Sequence, residues 1–355
     1  MTNANPGYLV GGGLSALPAH LGTVMVTGAG GAAAVTLLQA LRGRGALVAA
    51  DVDPVAVGLY LTPAECRLLL PPGDDPAFVD VLLDEAVSRG VDLVIPTVDI
   101  ELRPLSAARA RFAERGVALL VESVRTLDVC LDKLRLMRSC AEFVRVARTV
   151  LLTPDTDEAA LGSLGQPLVV KPRRGPSGRG FAVIEDPTWL AGFPRDGTIL
   201  AQELLPGTEY SIDVLAREDG QVVAAVPQSR DKVDSGVAVA GRTLHNPELQ
   251  SIGALVAEAI GAVGVVNVQL RAASDGAPAL LEVTPRFPGT MSLTMAAGVN
   301  MPVLAAAGAL GKAVPDSIPF AEVGVVRHWE DILIPIEEYG AMAPAAVLAT
   351  ARAGT

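Results

Sequence analysis

Strand-like and helix-like segments alternate regularly through the first third of the chain. The apolar run TVMVTGAGG begins at Thr23, ends in glycines and is followed by the helical pattern AAAVTLLQALRGRG. The strand patterns ALVAADVDP, VDLVIPTVD and VALLVE come next, separated by helical ones such as PAFVDVLLDEAVSRG. Because this alternation is typical of a doubly wound parallel sheet, we predict a Rossmann-like α/β domain over residues 23–122. Residues 1–22, which show little periodicity, are expected to form a flexible tail.

The pattern changes beyond this first domain. A helix with charged faces is predicted over Thr126–Phe143, and short strands joined by Gly- and Pro-containing turns follow, which favours antiparallel sheets of an α+β fold. We therefore predict a linker helix with a small lobe over residues 123–205 and a second lobe over residues 206–340. Residues 341–355 are expected to form a second tail.

The composition of the chain excludes several classes of protein. With 355 residues, half of them apolar, it can bury a substantial core. Its formal net charge of −11 is the opposite of a basic nucleic-acid footprint, so no nucleic-acid partner is expected. No Lys or Arg precedes Arg42 and no apolar run reaches the length of a membrane span, so neither a secretory signal nor a membrane partner is expected. We interpret Cys66, Cys130 and Cys140, which lack metal-ligand spacing, as reduced thiols of a cytoplasmic protein.

A lysine and a glycine-rich loop stand together in VVKPRRGPSGRG, residues 169–180. The predicted strand delivers Lys171, and the loop after it contains Gly175, Ser177 and Gly178. Glycines let backbone N–H groups approach phosphate oxygens, and the lysine adds a positive charge at the same place. This is not a Walker loop, because the G-K-[ST] order is absent and a strand follows the loop. The alternative interpretation is a basic hairpin turn without a ligand.

The segment AQELLPGTEYSIDVLA has the character of a nucleotide-binding strand edge. Gln202 and Glu203 end a predicted strand, Leu205 follows, and Glu209 stands six positions after Glu203. An apolar strand edge with available backbone groups can bond the rim of an adenine, and a later carboxylate can accept from ribose hydroxyls. The alternative is that both glutamates are solvated strand residues.

Polar residues alternate along the two strands of NVQLRAASDGAPALLEVTPR. Asn267 and Gln269 share one face of the first strand, and Glu282 and Thr284 share one face of the second. Side-chain oxygens clustered in this way, with few carboxylates among them, suit Mg²⁺ held jointly with nucleotide phosphates. Arg286 lies two positions beyond Thr284 and faces the same way. The alternative is an ordinary polar sheet face.

Taken in this order, these segments resemble the ATP-grasp superfamily, in particular the branch similar to the carbamoyl-phosphate-synthase large subunit and biotin carboxylase. The resemblance covers roughly residues 23–335 and includes a GxGG loop, a DK-containing helix, the lysine and glycine loop, the Q-E hinge and the N-x-Q and E-x-x-P-R strands. It implies a Rossmann-like pre-ATP-grasp domain followed by a two-lobed ATP-grasp fold of antiparallel sheets with helices.

The resemblance also implies roles on the nucleotide side. Lys133 in LDKLRLM would contact the nucleotide phosphates, and Lys171 would bridge them. Gly175, Ser177 and Gly178 would belong to a mobile loop that covers the phosphates.

Four further residues would contact the nucleoside of ATP. Glu203 and Leu205 would bind adenine through their backbones next to Gln202, and Glu209 would hold the ribose.

The metal and the reacting groups would be held by the two paired strands. Gln269 and Glu282 would bind Mg²⁺ or Mn²⁺, with Asn267 in support, and Arg286 would stabilise the transferred phosphoryl group or grip the acceptor carboxylate. The catalytic set implied by the resemblance is therefore Lys171, Glu282 and Arg286. Where the family reads E-x-N-P-R, this chain has Thr284 in place of the asparagine, which offers a hydroxyl, a poorer ligand, to a second metal.

The implied reaction is ATP-dependent ligation of a small-molecule carboxylate to an amine through an acylphosphate, with release of ADP and phosphate. A chain of this size is expected to act on amino-acid-like or specialised-metabolite substrates rather than as a full carbamoyl-phosphate synthase or biotin carboxylase. A homodimer is expected by analogy with similar proteins. His328 either contacts substrate or packs with Trp329 in the core. The other candidates for contact with the acceptor, besides Asn267, are Gly30, Asp99, Glu101, Arg230 and Lys232.

Two other classes of function compete with this one. Gly28, Gly30 and Gly31 follow a strand and open a helix, with Asp51 about twenty residues on, which matches the dinucleotide fingerprint of a nicotinamide-dependent oxidoreductase. A non-catalytic nucleotide-binding protein is the third class. The lysine loop and the carboxylate–arginine pair favour the ligase, because neither alternative requires a complete metal site.

Overall fold

Five parallel strands form the sheet of the first unit in the computed structural model, which describes residues 18–175, 180–234 and 236–340. The strand order is β3-β2-β1-β4-β5, with every neighbouring pair parallel. Crossover α-helices make three of the four connections between these strands, so the Rossmann-like class is confirmed. The elements are β1 (Thr23–Thr27), α1 (Ala32–Leu41), β2 (Ala46–Asp51), β3 (Arg67–Leu69), α2 (Phe78–Ser88), β4 (Leu93–Ile95), α3 (Asp99–Ala107), α4 (Arg109–Glu114) and β5 (Ala118–Leu119).

The first sheet has one strand more than the sequence patterns predicted. Strand β3 is only three residues long, too short for a periodic signal, and it follows two 3₁₀ turns, Val57–Leu61 and Ala64–Cys66. Of the tail expected over residues 1–22, residues 1–17 lie outside the described part of the chain. Leu21 is buried against the first sheet, and its N–H donates to the carbonyl of Arg44.

The single helix predicted over Thr126–Phe143 is wrong. Two helices occupy the segment, α5 (Val124–Cys130) and α6 (Lys133–Cys140). Asp132 between them has an extended backbone, and its side chain accepts the N–H of Arg135, so it caps the second helix. An aspartate that bonds the backbone in this way competes with helix continuation, which explains the break.

A small antiparallel sheet follows, with strand order β6-β9-β7-β8. Its apolar face packs on a short helix around Leu161 and Leu164, and this forms a separate core. The elements are β6 (Thr149–Leu151), α7 (Glu158–Ser163), β7 (Leu168–Pro172), β8 (Ala182–Ile184) and β9 (Ile199–Glu203).

The second lobe contains a four-stranded antiparallel sheet, β11-β10-β14-β15, and a three-stranded one, β12-β13-β16. The long helix of this lobe, Pro247–Ile260, starts after the Asn246 cap and ends at Gly261, which has the left-handed conformation. The elements are β10 (Glu209–Ala216), β11 (Val222–Ser229), β12 (Lys232–Asp234), β13 (Val237–Arg242), α8 (Pro247–Ile260), β14 (Gly264–Ala272), β15 (Pro278–Thr284), α9 (Met291–Ala296), α10 (Met301–Ala309) and β16 (Gly324–Val326).

The two faces of the large antiparallel sheet have opposite character. The face that carries Ile212, Val214 and Val268 packs on α8 and the linker helices. The hydrophobic core of the first unit continues through α1 into α10, so the first unit and the second lobe share one apolar interface. The opposite, polar face of the sheet is thereby left towards the small lobe and the first unit. Within the described residues, no helix combines the length and apolarity needed to cross a bilayer.

Candidate active site

Lys171 lies on β7 and interacts with charged residues from two other elements. Burial lowers the pKa of its ammonium group to about 8, the Glu282 carboxylate on β15 opposes that shift, and the Lys133 ammonium adds to it. The small lobe therefore brings its lysine into electrostatic range of the carboxylate on the large sheet. Two ammonium groups close together in a buried place are stabilised by an anion between them.

The start of the glycine-rich loop is tied to the linker helices by ionic contacts. The buried carboxylate of Asp132 accepts from Arg173 Nε at 2.9 Å and from Arg174 Nη2 at 3.1 Å. Lys133, only 6 % exposed, donates from Nζ to the carbonyl of Gly175 at 2.9 Å. Asp132 and Lys133 thus hold the first residues of the loop after β7. Ser177 and Gly178, which were predicted to cover phosphates, lie outside the described residues.

The hinge residues have their side chains engaged by the small lobe. Gln202 donates from Nε2 to Thr149 Oγ1 at 2.7 Å, and the Glu203 carboxylate accepts from the backbone and guanidinium of Arg148 at 2.9 and 2.8 Å. The N–H of the buried Leu205 donates to no acceptor in the described part of the chain. The hinge therefore offers its backbone, rather than its side chains, to a base. This is what adenine binding through the backbone requires.

The predicted ribose residue has a partner that the sequence did not indicate. Glu209 Oε1 lies 2.6 Å from Arg230 Nε, and Arg230 also donates to the carbonyl of Gly236. Arg230 was predicted to contact the acceptor, so the structure brings a ribose candidate and an acceptor candidate together.

The proposed metal ligands lie in two rows across the polar face of the large sheet. Gln269 and Glu282 are register partners on β14 and β15, which confirms the pairing predicted from the sequence. Asn267 and Thr284 form the next pair. Because directly paired residues project from the same face, all four side chains share it. No group of three or more His, Cys, Asp or Glu side chains suited to a metal occurs among the described residues, so a metal held by Glu282 would also depend on amide and hydroxyl oxygens.

Strand β10 extends both rows with residues that the sequence analysis missed. Ser211 is the register partner of Gln269, and its fully buried Oγ has no hydrogen-bond partner among the described residues. Asp213, the register partner of Asn267, is also fully buried, and burial raises the pKa of its carboxyl group against three donated hydrogen bonds. The available signal was a carboxylate in the otherwise apolar run IDVLA, since a buried charge needs partners.

A cleft of about 1070 Å³ opens beside this face. Arg286 lies in it and donates from Nε to Asp99 Oδ1 at 2.6 Å, which joins β15 to the start of α3 in the first unit. Apolar Val98 and Ile100, both partly exposed, line the side formed by the first unit. The predicted site residues that line the cleft are Asp99, Gly175, Arg230, Asn267, Gln269, Thr284 and Arg286.

Other predicted residues do not line this cleft. Glu101 is buried in the first unit, where Thr27 Oγ1 donates to it, and burial raises the pKa of its carboxyl group to about 7. Lys232 is exposed on β12. His328 is exposed, and Trp329 is 94 % exposed, so the alternative that these two pack in the core is wrong. The hinge residues Glu203, Leu205 and Glu209 are also not among the residues that line it.

Next to His328 stands a third residue that the sequence did not indicate. Arg327 donates to the carbonyl of Gly289, and burial lowers the pKa of its guanidinium group. Its buried Nε has no partner among the described residues. Gly289 itself lines the cleft, so a half-buried cation lies just behind the cleft wall. No spacing in the sequence signals this position.

The N–H groups of the glycine loop in the first unit already donate within the protein, which leaves them unavailable to a pyrophosphate. The N–H of Gly30 donates to Asp51 Oδ2 at 2.8 Å, and the N–H groups of Ala29 and Gly31 bond to backbone carbonyls. Gly58 packs over the loop so closely that a Cβ there would lie 2.3 Å from the carbonyl oxygen of Ala29. A dinucleotide fingerprint needs these N–H groups and its acidic residue to be available, so the geometry disfavours the oxidoreductase interpretation.

Two family models match the chain. A model described as ATP-grasp in the biosynthetic pathway with Ter operon matches residues 195–332. The PylC-like N-terminal domain matches residues 24–120.

Curated relatives are similar over parts of their length. A carbamoyl phosphate synthase large chain of Xanthomonas campestris pv. campestris is 27 % identical over 237 residues, which is 60 % of this chain and 22 % of that protein. A D-alanine–D-alanine ligase of Corynebacterium glutamicum is 28 % identical over 207 residues, which is 54 % of this chain and 57 % of that protein. The chain thus spans about a fifth of the former and just over half of the latter.

Among solved structures, a biotin carboxylase from Campylobacter jejuni in a β,γ-ATP complex superimposes with a TM-score of 0.67. It is 16 % identical, and the match covers 82 % of this chain and 72 % of that one, which establishes a shared fold. The two family models and this fold confirm the resemblance to the ATP-grasp superfamily that the ordered site segments indicated.

Proposed function

We propose that this chain is an ATP-dependent ligase that joins a small-molecule carboxylate to an amine. The observation that supports it most is the position of Lys171, whose ammonium on the small sheet is within electrostatic range of Glu282 on the large sheet. Relatives named as ligases, such as D-alanine–D-alanine ligase, support an amino-acid-like or specialised-metabolite substrate.

The residues present fit Mg-ATP. Two neighbouring ammonium groups, Lys133 and Lys171, are suited to phosphate oxygens, and the Leu205 N–H and the Ser211 Oγ have no partner among the described residues. Gln269 and Glu282 would hold Mg²⁺ or Mn²⁺ from the large sheet, and the short Thr284 hydroxyl is the weakest of the oxygens predicted for the metal. When bound, Mg-ATP supplies the γ-phosphoryl group that converts the substrate carboxylate to an acylphosphate, from which the amine displaces phosphate.

The chain's own residues would position and neutralise the reacting groups. Lys171 would offset the charge that grows on the phosphate oxygens during transfer, and Arg286 would do so from the acceptor side. Asp99 holds Arg286 in the cleft, so the guanidinium is already oriented before substrate arrives. The roles of Ser177, Gly178, Gln202, Glu209, Lys232, Glu101, Gly30 and His328, like the cytoplasmic location and the homodimer, stay predictions.

A screen of carboxylate and amine pairs with Mg-ATP tests the proposal. The expected products are ADP and phosphate in the presence of both substrates. Lys171→Met is expected to lower kcat/KM by about 10²–10³, the usual effect of removing one well-placed charge. Lys312→Met is the matched control, since the ammonium group of that lysine bonds the carbonyl of His20 and does not line the cleft. Release of AMP, reduction of a nicotinamide, or full turnover by folded Lys171→Met or Glu282→Gln would contradict it.

A further inference from the structure

One row of the polar sheet face is formed by Asp213, Asn267 and Thr284. Its members have different roles, which the sequence does not reveal. These three residues are direct register partners on β10, β14 and β15, so their side chains leave the same face of the sheet. Gln269 and Glu282 occupy the adjacent row of that face. The row therefore borders the place proposed for the metal.

Asp213 is held rigidly within the sheet. Its Oδ2 accepts from Gln228 Nε2 at 2.8 Å and from Thr294 Oγ1 at 2.5 Å, and its Oδ1 accepts from Asn267 Nδ2 at 2.6 Å. Thr294 belongs to α9, so the carboxylate is fixed by two strands and a helix at once. A fully buried carboxylate that accepts three hydrogen bonds has little freedom to rotate.

The bond to Asp213 decides which way the Asn267 amide points. Asp213 Oδ1 accepts from Asn267 Nδ2, so the NH₂ group of Asn267 faces Asp213. The amide oxygen is bonded to the same carbon and so points away from the aspartate. Asn267 lines the cleft, and no described residue donates a hydrogen bond to its oxygen. Asn267 thus presents a fixed amide oxygen on the metal-proximal face.

Thr284 stands directly opposite and is the shorter side chain. Its hydroxyl lies one bond nearer to the main chain than an amide oxygen would, and it is the weaker Mg²⁺ ligand. Paired residues of neighbouring antiparallel strands have Cβ atoms about 4.5–5.5 Å apart. An oxygen from Asn267 therefore reaches the space that a longer residue at position 284 would fill.

We propose that Asn267, oriented by Asp213, supplies the amide-oxygen ligand to Mg²⁺ that Thr284 does not supply. Asp213 acts as a positioning residue and does not itself touch the metal. The inference rests on the proposed function, because it requires that Mg²⁺ and a nucleotide bind at this face.

Mn²⁺ binding to the full chain, followed by electron paramagnetic resonance with a non-hydrolysable ATP analogue, tests the ligand assignment directly. Asn267→Ala is expected to weaken Mn²⁺ binding by about 10- to 100-fold, whereas Thr284→Ala should change it by less than about 3-fold. The double variant Asn267→Ala/Thr284→Asn is expected to recover Mn²⁺ affinity, because it returns an amide to the opposite strand. Unchanged affinity in Asn267→Ala, or a larger loss in Thr284→Ala, overturns the proposal.

A second variant tests the positioning role. Asp213→Asn keeps the size of the side chain but lets the Asn267 amide rotate, so Mn²⁺ affinity should fall while analogue affinity in EDTA stays unchanged. Adding Thr284→Asn to that variant should restore Mn²⁺ affinity, which a general packing defect would not allow. If wild type binds no analogue at all, the proposed function fails. If it binds analogue and metal but Asn267→Ala matches it, only this inference fails.

Discussion

At the scale of single residues, the site contains ionisable groups whose pKa values are shifted from their usual range. Lys171 is the clearest case, since burial and the neighbouring Lys133 disfavour its charged form, and Glu282 offsets only part of that effect. A phosphate that arrives between the two lysines would restore the charge. Binding and protonation are thus expected to be coupled at this position.

Nucleotide binding near pH 8 is expected to take up a proton at Lys171. With the pKa of the free ammonium group at about 8, roughly half of this group is neutral at pH 8, so complete recharging takes up about half a proton. Titration calorimetry of Mg-ADP in buffers of different ionisation enthalpy measures the uptake, which should be larger at pH 8 than at pH 7. Lys171→Arg is the control, because a guanidinium stays charged throughout and contributes no uptake. Equal uptake in the two proteins at pH 8 would contradict this coupling.

At the scale of elements, the α5–α6 break forms a functional junction. Asp132 caps α6 and at the same time binds Arg173 and Arg174 of the following glycine loop. One buried carboxylate therefore serves helix stability and loop position together. The sequence predicted a continuous helix here because neither role leaves a local signal in the hydrophobic pattern.

Asp132→Ala is expected to loosen the loop as well as the helix. Loss of the cap costs about 1 kcal/mol of stability, and release of the arginines should speed tryptic cleavage after Arg173 and Arg174 and weaken Mg-ADP binding. Asp157→Ala is the matched control, since Asp157 caps α7 of the same lobe and makes no contact with the loop arginines. It should lose similar stability with wild-type cleavage and affinity. Cleavage rates that are the same in both variants would contradict the anchoring role.

The sequence predicted those features that depend on residues close to one another along the chain. Alternating strands and helices predicted the parallel sheet, and the alternating polar residues of NVQLRAASDGAPALLEVTPR predicted the two strands on which Gln269 and Glu282 pair. The Asp99–Arg286 ion pair could not be predicted, because its members are 187 residues apart and only the tertiary fold brings them together. The same holds for the partners of Asp213 on β11, β14 and α9. Local periodicity carries no information about such contacts.

At the scale of the whole molecule, the first unit and the second lobe are joined by buried polar contacts as well as by the shared apolar core. The Glu122 carboxylate accepts the N–H of Val263 at 3.0 Å, and its carbonyl accepts from Ser106. Thr126 donates to the carbonyls at the end of α8, at Ile260 and Gly261. These contacts hold together the first unit and the second lobe, which both contribute walls of the cleft.

The Glu122 contact is expected to make the stability of the whole chain depend on pH. Burial raises the pKa of Glu122 to about 8, from 4.5 in an exposed glutamate, although the Val263 N–H and Arg109 act in the other direction. Between these two values the folded state holds a proton that the unfolded state has lost. The contribution of Glu122 is therefore fully present below pH 4.5 and falls as pH rises towards 8, by at most about 1.4 kcal/mol per pH unit.

Glu122→Gln should remove this dependence while keeping an acceptor oxygen for Val263. Urea unfolding from pH 5 to 8.5 measures it: the variant should gain stability relative to wild type as pH rises to 8, and the difference should level off above. Glu114→Gln, which changes an exposed glutamate at the end of α4, is the control and should run parallel to wild type. Because Glu122 joins the two units, its ionisation destabilises their junction and not one element alone, so a single cooperative transition should shift. A Glu122→Gln profile parallel to wild type would show that the carboxyl group stays ionised at this junction.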